Sequence, residues 1–316
     1  MFLDIKDGLG PMYMGTDKAM QKIAGDDPEK MRKVKEEAWG DFLDMTISQA
    51  LTWASQDIRP EVTPSEVVLA EPYIMGSHSG ESGAWVSGPE DLAPPDYFWG
   101  YNKMTTIKGL FAAGDGVGAA PHKFSSGSFT EGRLAAKAAV NFLNDNPEDS
   151  TLNDGQVTSL RDKIWAPLER FEKYKGASTA EEVNPHYLTP YQGLVRLQKI
   201  MDEYAGGTSA WYTTNKPTLE RGIQLIELLR EDLNKLAARD RHELMRCWEV
   251  IHRTWVGESH MRHLLYREET RWPGYYYRSD FPDLDDSKWR VFVNSRFDSE
   301  TNEWDLFTKP YINLIK

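Results

Sequence analysis

The sequence predicts an α+β protein in three parts: residues 1–72 mostly helical, 73–155 an α/β piece, and 156–316 a helical region closing on a β-hairpin. Three observations lead there. Apolar residues recur at helical spacing in both outer parts. The middle is rich in Gly, Ser and Pro and runs into a strand–loop–helix unit. Near the C-terminus two runs rich in aromatic and β-branched residues flank a polar turn.

In the first part, Asp26-Asp27-Pro28 marks a helix start with Pro in the first turn. Met31, Val34, Ala38, Phe42 and Met45 then follow at helical spacing. A second helix is predicted over about 46–56, stopped by Arg59-Pro60. Glu66 to Leu69 reads as a short strand. Residues 73–104 form a long loop region, and a loop of that length inside a domain is usually functional. Residues 105–114 predict a turn and a buried strand. After a Gly/Ser-rich loop, Ser128-Phe129-Thr130-Glu131 matches a capping box at the start of a helix reaching about Leu143. A polar linker, 144–155, leads to four helices at about 157–174, 191–204, 217–238 and 241–267. The hairpin is predicted over Trp289–Phe297 and Glu303–Phe307, turning at 298–302.

The 316 residues are 40% hydrophobic and 12% aromatic, enough for more than one core. The net charge of −12 makes the chain a poor match for nucleic acid or an anionic membrane surface. The single cysteine, Cys247, excludes an intrachain disulfide and fits a reducing compartment. It also excludes an iron–sulfur cluster held by this chain alone, since such clusters take about four cysteine ligands. The first residues lack the basic and apolar regions of a signal peptide. No apolar run approaches the roughly 20 residues that span a bilayer. A cytoplasmic protein is expected.

The chemistry concentrates in Gly109-Leu110-Phe111-Ala112-Ala113-Gly114-Asp115-Gly116 and in His122-Lys123-Phe124-Ser125-Ser126-Gly127-Ser128-Phe129-Thr130-Glu131-Gly132-Arg133. Gly114 allows a close approach to the backbone. Asp115 follows at the strand's C-terminal end, the ligand edge of open α/β sheets, where a carboxylate can accept bonds from sugar-like hydroxyls. The helix that follows exposes free N–H groups and a positive dipole end suited to an anion. The same residues fit a plain strand–loop–helix connection equally well. Gly114, Gly116 and Gly118 lack the spacing of a dinucleotide phosphate loop.

These two stretches resemble the second FAD-contacting segment of the fumarate reductase/succinate dehydrogenase flavoprotein superfamily. The His-Lys-Phe-Ser-Ser-Gly-Ser-Phe-x-Glu-Gly-Arg version is similar to the dissimilatory adenylylsulfate reductase alpha subunits within it. So are Glu71-Pro72-Tyr73-Ile74-Met75-Gly76-Ser77-His78-Ser79-Gly80, Gly83 to Glu90, Phe171 to Ala177, Asn184-Pro185-His186-Tyr187, and Arg267 to Gly274. The resemblance covers essentially the whole chain, as the C-terminal half of such a subunit. The family's Rossmann half, with its phosphate-binding Gly motif and substrate arginines, has no counterpart here.

The resemblance implies a remnant of a capping domain (1–72), the C-terminal part of an FAD-binding α/β domain (73–155) and a helical C-terminal domain with a terminal hairpin (156–316). It implies interconversion of adenylylsulfate with sulfite and AMP through a flavin N5–sulfite adduct. His78 is the expected catalytic residue, lining the substrate site, where a histidine suits a sulfur oxyanion. Gly114, Asp115, Ser125, Ser126, Gly127, Ser128 and Phe129 are the expected FAD contacts, with Asp115 on the ribityl hydroxyls. The implied partner is an iron–sulfur beta subunit carrying the clusters. Dicarboxylate reductases of the superfamily place an arginine between the acidic turn and the following helix. Between Asp115 and Ser128 the only basic residues are His122 and Lys123, which argues against fumarate or succinate. Two other readings stay open: a related flavoprotein with another substrate, and a non-catalytic assembly piece.

Other signals carry less. His242-Glu243-Leu244-Met245-Arg246 has Arg where a zincin needs its second His. His252, His260 and His263 read as a polar helix face, and no metal site is expected. Cys247 reads as a core residue. Trp272, Tyr275, Tyr276, Tyr277, Trp289, Trp304 and Tyr311 fit an interface or a hairpin core equally.

Overall fold

The computed structural model describes residues 9, 11–45, 47–67, 82–118, 125–148, 151–271 and 277–312. The chain divides into two compact units, Met1–Pro72 and Tyr73–Lys316.

In the first unit, β1 (Met12–Met14) pairs antiparallel with β2 (Ser65–Val67), Tyr13 facing Glu66. Between them run α1 (Thr16–Ala24), α2 (Pro28–Met45) and α3 (Ile47–Ser55). The expected start of α2 is built as its residues suggest. Pro28 occupies the first turn, and the Asp27 carboxylate accepts the N–H groups of Glu29 and Lys30 at 2.9 and 3.2 Å. Met20, Ala24, Ala50 and Trp53 are buried, and Trp39 meets Trp53 edge-on.

In the second unit, residues 82–118 are joined by single bridges: Ala84 to Val117, Val86 to Thr105 and Met104 to Phe111. A buried strand over 105–114 is therefore not what forms. The Leu110 N–H reaches back to the Ile107 carbonyl, and Thr105 N–H to the Leu110 carbonyl, folding this stretch into a tight reversal. Ile107 and Leu110 are left exposed. The pairing run is cut by its own turn before a ladder can grow.

Helix α4 (Ser125–Asp145) follows, then α5 (Asp154–Tyr174), α6 (Pro190–Tyr204), α7 (Lys216–Leu233) and α8 (Arg241–Tyr266). Each of the last four starts on a side-chain cap. Asn153, Asn215 and Asp240 accept the backbone N–H three residues on. Thr189 and Gln192 form a reciprocal capping box. Along α7, Leu219, Ile223, Ile226, Leu229 and Leu233 recur every three or four residues and are buried against Leu197 of α6 and Leu244, Cys247, Val250 and Met261 of α8. Helix α7 ends five residues short of the expected boundary. Leu236 leaves it to bridge Leu188, with Ala237 N–H on the Leu188 carbonyl at 2.9 Å.

The far end of α8 is closed by arginine. Arg278 is 1% exposed; it donates to the carbonyls of Leu264, Leu265 and Arg267 and pairs with Asp280. It sits on β4 (Tyr277–Arg278), which runs parallel to β3 (Thr213–Thr214). The fully buried Glu269 accepts from Arg267, Arg271 and the Asp285 N–H. Arg267 continues to the carbonyls of Trp289 and Val291, fastening a short helix, α9 (Asp286–Trp289), and the start of the hairpin.

The hairpin forms with shifted ends: β5 (Val291–Asp298) starts two residues later than expected, because Trp289 ends α9, and β6 (Glu303–Pro310) runs three residues further, with Asp298 facing Glu303. Phe297 packs between Trp255 of α8 and Trp304. At its other end, Trp85 meets Phe292, and the Tyr97 hydroxyl donates to the Pro310 carbonyl at 2.6 Å. Trp289 is buried while Tyr311 is half exposed, so the tail aromatics divide between core and surface. Trp272, Tyr275 and Tyr276 lie outside the described residues.

Cys247 is fully buried, and burial pushes its thiol from 9.0 up to about 12. A raised folded-state value favours the protonated form. Its contribution to stability is complete below about pH 9 and fades as pH climbs toward 12. Ellman's reagent at pH 8 is expected to leave Cys247 untouched until denaturant is added. Replacing Glu269 by Ala strands two arginines and a backbone N–H, and is expected to cost about 3–5 kcal/mol in a denaturant melt.

Candidate functional site

The turn Gly114–Gly116 is a short 3₁₀ turn placed directly before helix α4 in space. Gly114 is buried with φ of +64°, and a Cβ there would lie 3.1 Å from the Ser128 hydroxyl oxygen. Glycine is required twice over, by the left-handed backbone and by the helix it touches. The Gly114 N–H donates to Glu131 Oε2 at 2.8 Å. Glu131 Oε1 in turn meets Lys103 Nζ at 3.2 Å, with the two side chains 9% and 16% exposed. Asp115 and Gly116 face outward and are exposed.

A second segment borders the turn. Ala84 N–H donates to the Gly116 carbonyl at 2.7 Å, and Gly118 N–H returns to the Ala84 carbonyl at 3.0 Å. Gly83 lies so close that a Cβ would come within 2.5 Å of the Val117 carbonyl carbon. The Gly83–Ala84 segment thus lies in register against the glycine turn.

Helix α4 begins at Ser125, three residues before the expected cap. Ser128 therefore lies inside the helix, and the Ser128–Glu131 capping box does not form. Glu131 spends its carboxylate on Gly114 and Lys103 instead, because the turn presents a buried N–H that would otherwise go unpaired. The first turn, 125–128, carries no acidic side chain, so nothing in it offsets the helix's positive end.

Of the expected contacts, Gly114 and Ser128 meet where turn and helix touch, with Asp115 and Gly127 next to them in the chain. Ser125 and Ser126 contribute backbone at the helix start. Phe129 points outward and is 80% exposed. His78 lies outside the described residues. Lys103, Gly83 and the second role of Glu131 were not anticipated. Lys103 has no motif of its own, and Gly83 looks like any loop glycine until its neighbour is known. Among the described residues no group of His, Cys, Asp and Glu is arranged to hold a metal.

These residues fit part of a flavin cofactor. An outward carboxylate on Asp115 suits hydroxyls. Gly116 has open space where a side chain would stand. A helix start without acidic side chains suits a negatively charged ring edge. A phosphate-binding glycine loop is not among them.

The comparisons with known proteins place the fold. The family described as fumarate reductase flavoprotein C-term matches residues 195–313. Over that stretch the chain is similar to flavoproteins of the fumarate reductase class. The adenylylsulfate reductase alpha subunit of Megalodesulfovibrio gigas is 46% identical over 323 aligned residues, covering 100% of this chain and 48% of that protein. The solved adenylylsulfate reductase of Archaeoglobus fulgidus superposes with a TM-score of 0.89 at 57% identity, over 100% of this chain and 50% of its own. An adenosine-5-phosphosulfate reductase solved in complex with sulfite, as a covalent adduct, matches equally. The chain is a homologue of the adenylylsulfate reductase alpha subunit, corresponding to its C-terminal half. It spans about half the length of the relatives it matches.

Replacing Gly114 by Ala forces a side chain into a left-handed turn and against Ser128. The expected cost is about 1–2 kcal/mol of local stability, read as a roughly tenfold weaker flavin affinity in the full-length subunit by fluorescence titration.

Proposed function

We propose that this chain forms part of the FAD-carrying subunit of adenylylsulfate reductase, interconverting adenylylsulfate with sulfite and AMP. The observation that carries the reading is the glycine turn, clamped between α4 and the Gly83–Ala84 segment, in a chain aligned along its full length with adenylylsulfate reductases. FAD, when bound, supplies the two-electron redox chemistry.

The chain's own residues bind and orient. Asp115 accepts hydrogen bonds from the ribityl hydroxyls. The start of α4, through the backbone of Ser125 to Phe129, presents N–H groups and a positive end to the negatively charged ring edge. His78, as the family resemblance implies, donates to an oxygen of the sulfur oxyanion. Residues 1–72 serve as capping-domain remnant, 73–155 as the end of the FAD-binding domain and 156–316 as the helical domain. Electrons come from an iron–sulfur beta subunit, since the one cysteine here is buried and clusters take about four cysteine ligands. No helix among the described residues is long and apolar enough to cross a membrane, and the proposed location is the cytoplasm.

Absence of arginine between Asp115 and Ser128 favours this reading over a dicarboxylate reductase. The test uses the full-length flavin-loaded subunit with its partner. Sulfite is expected to bleach the flavin band, and sulfite oxidation is expected to require AMP. Fumarate reduction without any response to adenylylsulfate would overturn the reading. His78→Ala is expected to lower kcat/KM roughly 100-fold while flavin content holds.

A further inference from the structure

We infer that Lys103 and Glu131 are a charge-balanced positioning pair for the flavin turn, in which Lys103 neutralises a carboxylate that the turn needs but that reduced flavin would not tolerate bare. The inference rests on the flavin reading above and concerns residues to which that reading gives no role.

Glu131 accepts the Gly114 N–H at 2.8 Å, and its side chain is 9% exposed. This bond fixes the turn with Asp115 facing outward. A neutral acceptor would satisfy the N–H equally well, so the bond alone does not explain a carboxylate with a lysine beside it. Lys103 reaches Glu131 at 3.2 Å from a separate segment and is itself mostly buried. It does so from a backbone φ of +65°, uncommon for a residue with a side chain. That backbone is held on both sides: Lys103 N–H donates to the carbonyl of the fully buried Ser87 at 2.9 Å, and Ala112 N–H donates to the Lys103 carbonyl at 3.1 Å. The surrounding bonds thus keep the lysine in an unfavourable conformation that delivers its ammonium to Glu131.

The site has an electrostatic reason for the pair. Asp115, next to Gly114, carries a second negative charge. A group that gains negative charge on reduction, or on taking up sulfite, is opposed by an unpaired carboxylate in a site of low dielectric. Breaking one side of a buried pair leaves its partner's charge uncompensated, while neutralising both leaves none.

The two single substitutions should therefore act in opposite directions on the flavin. Lys103→Met leaves Glu131 bare, and the sulfite dissociation constant is expected to rise about tenfold or more. Glu131→Gln keeps an acceptor for Gly114 N–H and leaves a lone ammonium, so sulfite binding is expected to tighten. The double substitution K103M/E131Q is expected to return within about threefold of the unsubstituted protein, and Lys103→Arg to stay there.

The measurement is sulfite bleaching of the flavin in the full-length subunit with its partner. The reduction potential is followed in parallel and is expected to fall in Lys103→Met and recover in the double. A merely structural pair would weaken all variants in one direction, with the double worst, and that pattern overturns the inference, as does an unchanged Lys103→Met. If Lys103→Met holds no flavin, the double decides: flavin bound and bleached as in the unsubstituted protein supports the pair, and loss of flavin there overturns it. An unsubstituted protein whose flavin ignores sulfite defeats the underlying reading, and this inference with it. Normal bleaching there with no opposition between the single variants defeats this inference alone.

Discussion

One carboxylate joins three parts of the chain, beside the packing of Phe142 against Tyr101 and Phe111. Glu131 on α4 takes the N–H of Gly114 and the ammonium of Lys103. Without it the left-handed Gly114 turn would keep a buried, unpaired donor, which costs as much as several ordinary surface contacts contribute. The Gly83–Ala84 segment then closes the other side of the turn through two backbone bonds. Residues 82–118 have little ladder pairing, so their arrangement depends on these few polar contacts more than on sheet formation.

The helical part is held differently. There the α6–α7–α8 core is apolar and close-packed, and its stability follows from buried area. Charged residues are buried there with partners: on α8, Glu258 takes Arg230 and Arg262. Arg278 closes the end of α8, and Glu269 gathers Arg267, Arg271 and the Asp285 N–H. Arg267 hands the connection on to the hairpin. Each of these ions has a partner, as burial demands. The hairpin is thereby tied to α8 at one end and, through Tyr97 and Trp85, to the segment beside the glycine turn at the other. A continuous set of contacts therefore runs from the helical core to the candidate site within the second unit.

What could be read from residue order alone was whatever is decided within a few residues. Asp27-Pro28 announces a helix start because its cap bonds two or three positions away. The α7 stripe and the hairpin turn are local in the same sense. The glycine turn and Asp115 were legible as a ligand edge, and the family likeness as a motif. Long-range partners decided the rest. Ser128 and Glu131 have the spacing of a capping box, yet the helix starts earlier and Glu131 answers to Gly114 and Lys103. Residues 105–114 have strand composition, yet a reversal at 107–110 consumes the bonds a ladder would use. Leu236 leaves α7 because Leu188, far back in the chain, offers it a backbone partner. Sequence spacing specifies which groups can meet along one element, whereas only the folded chain settles which buried donor most needs the one available carboxylate.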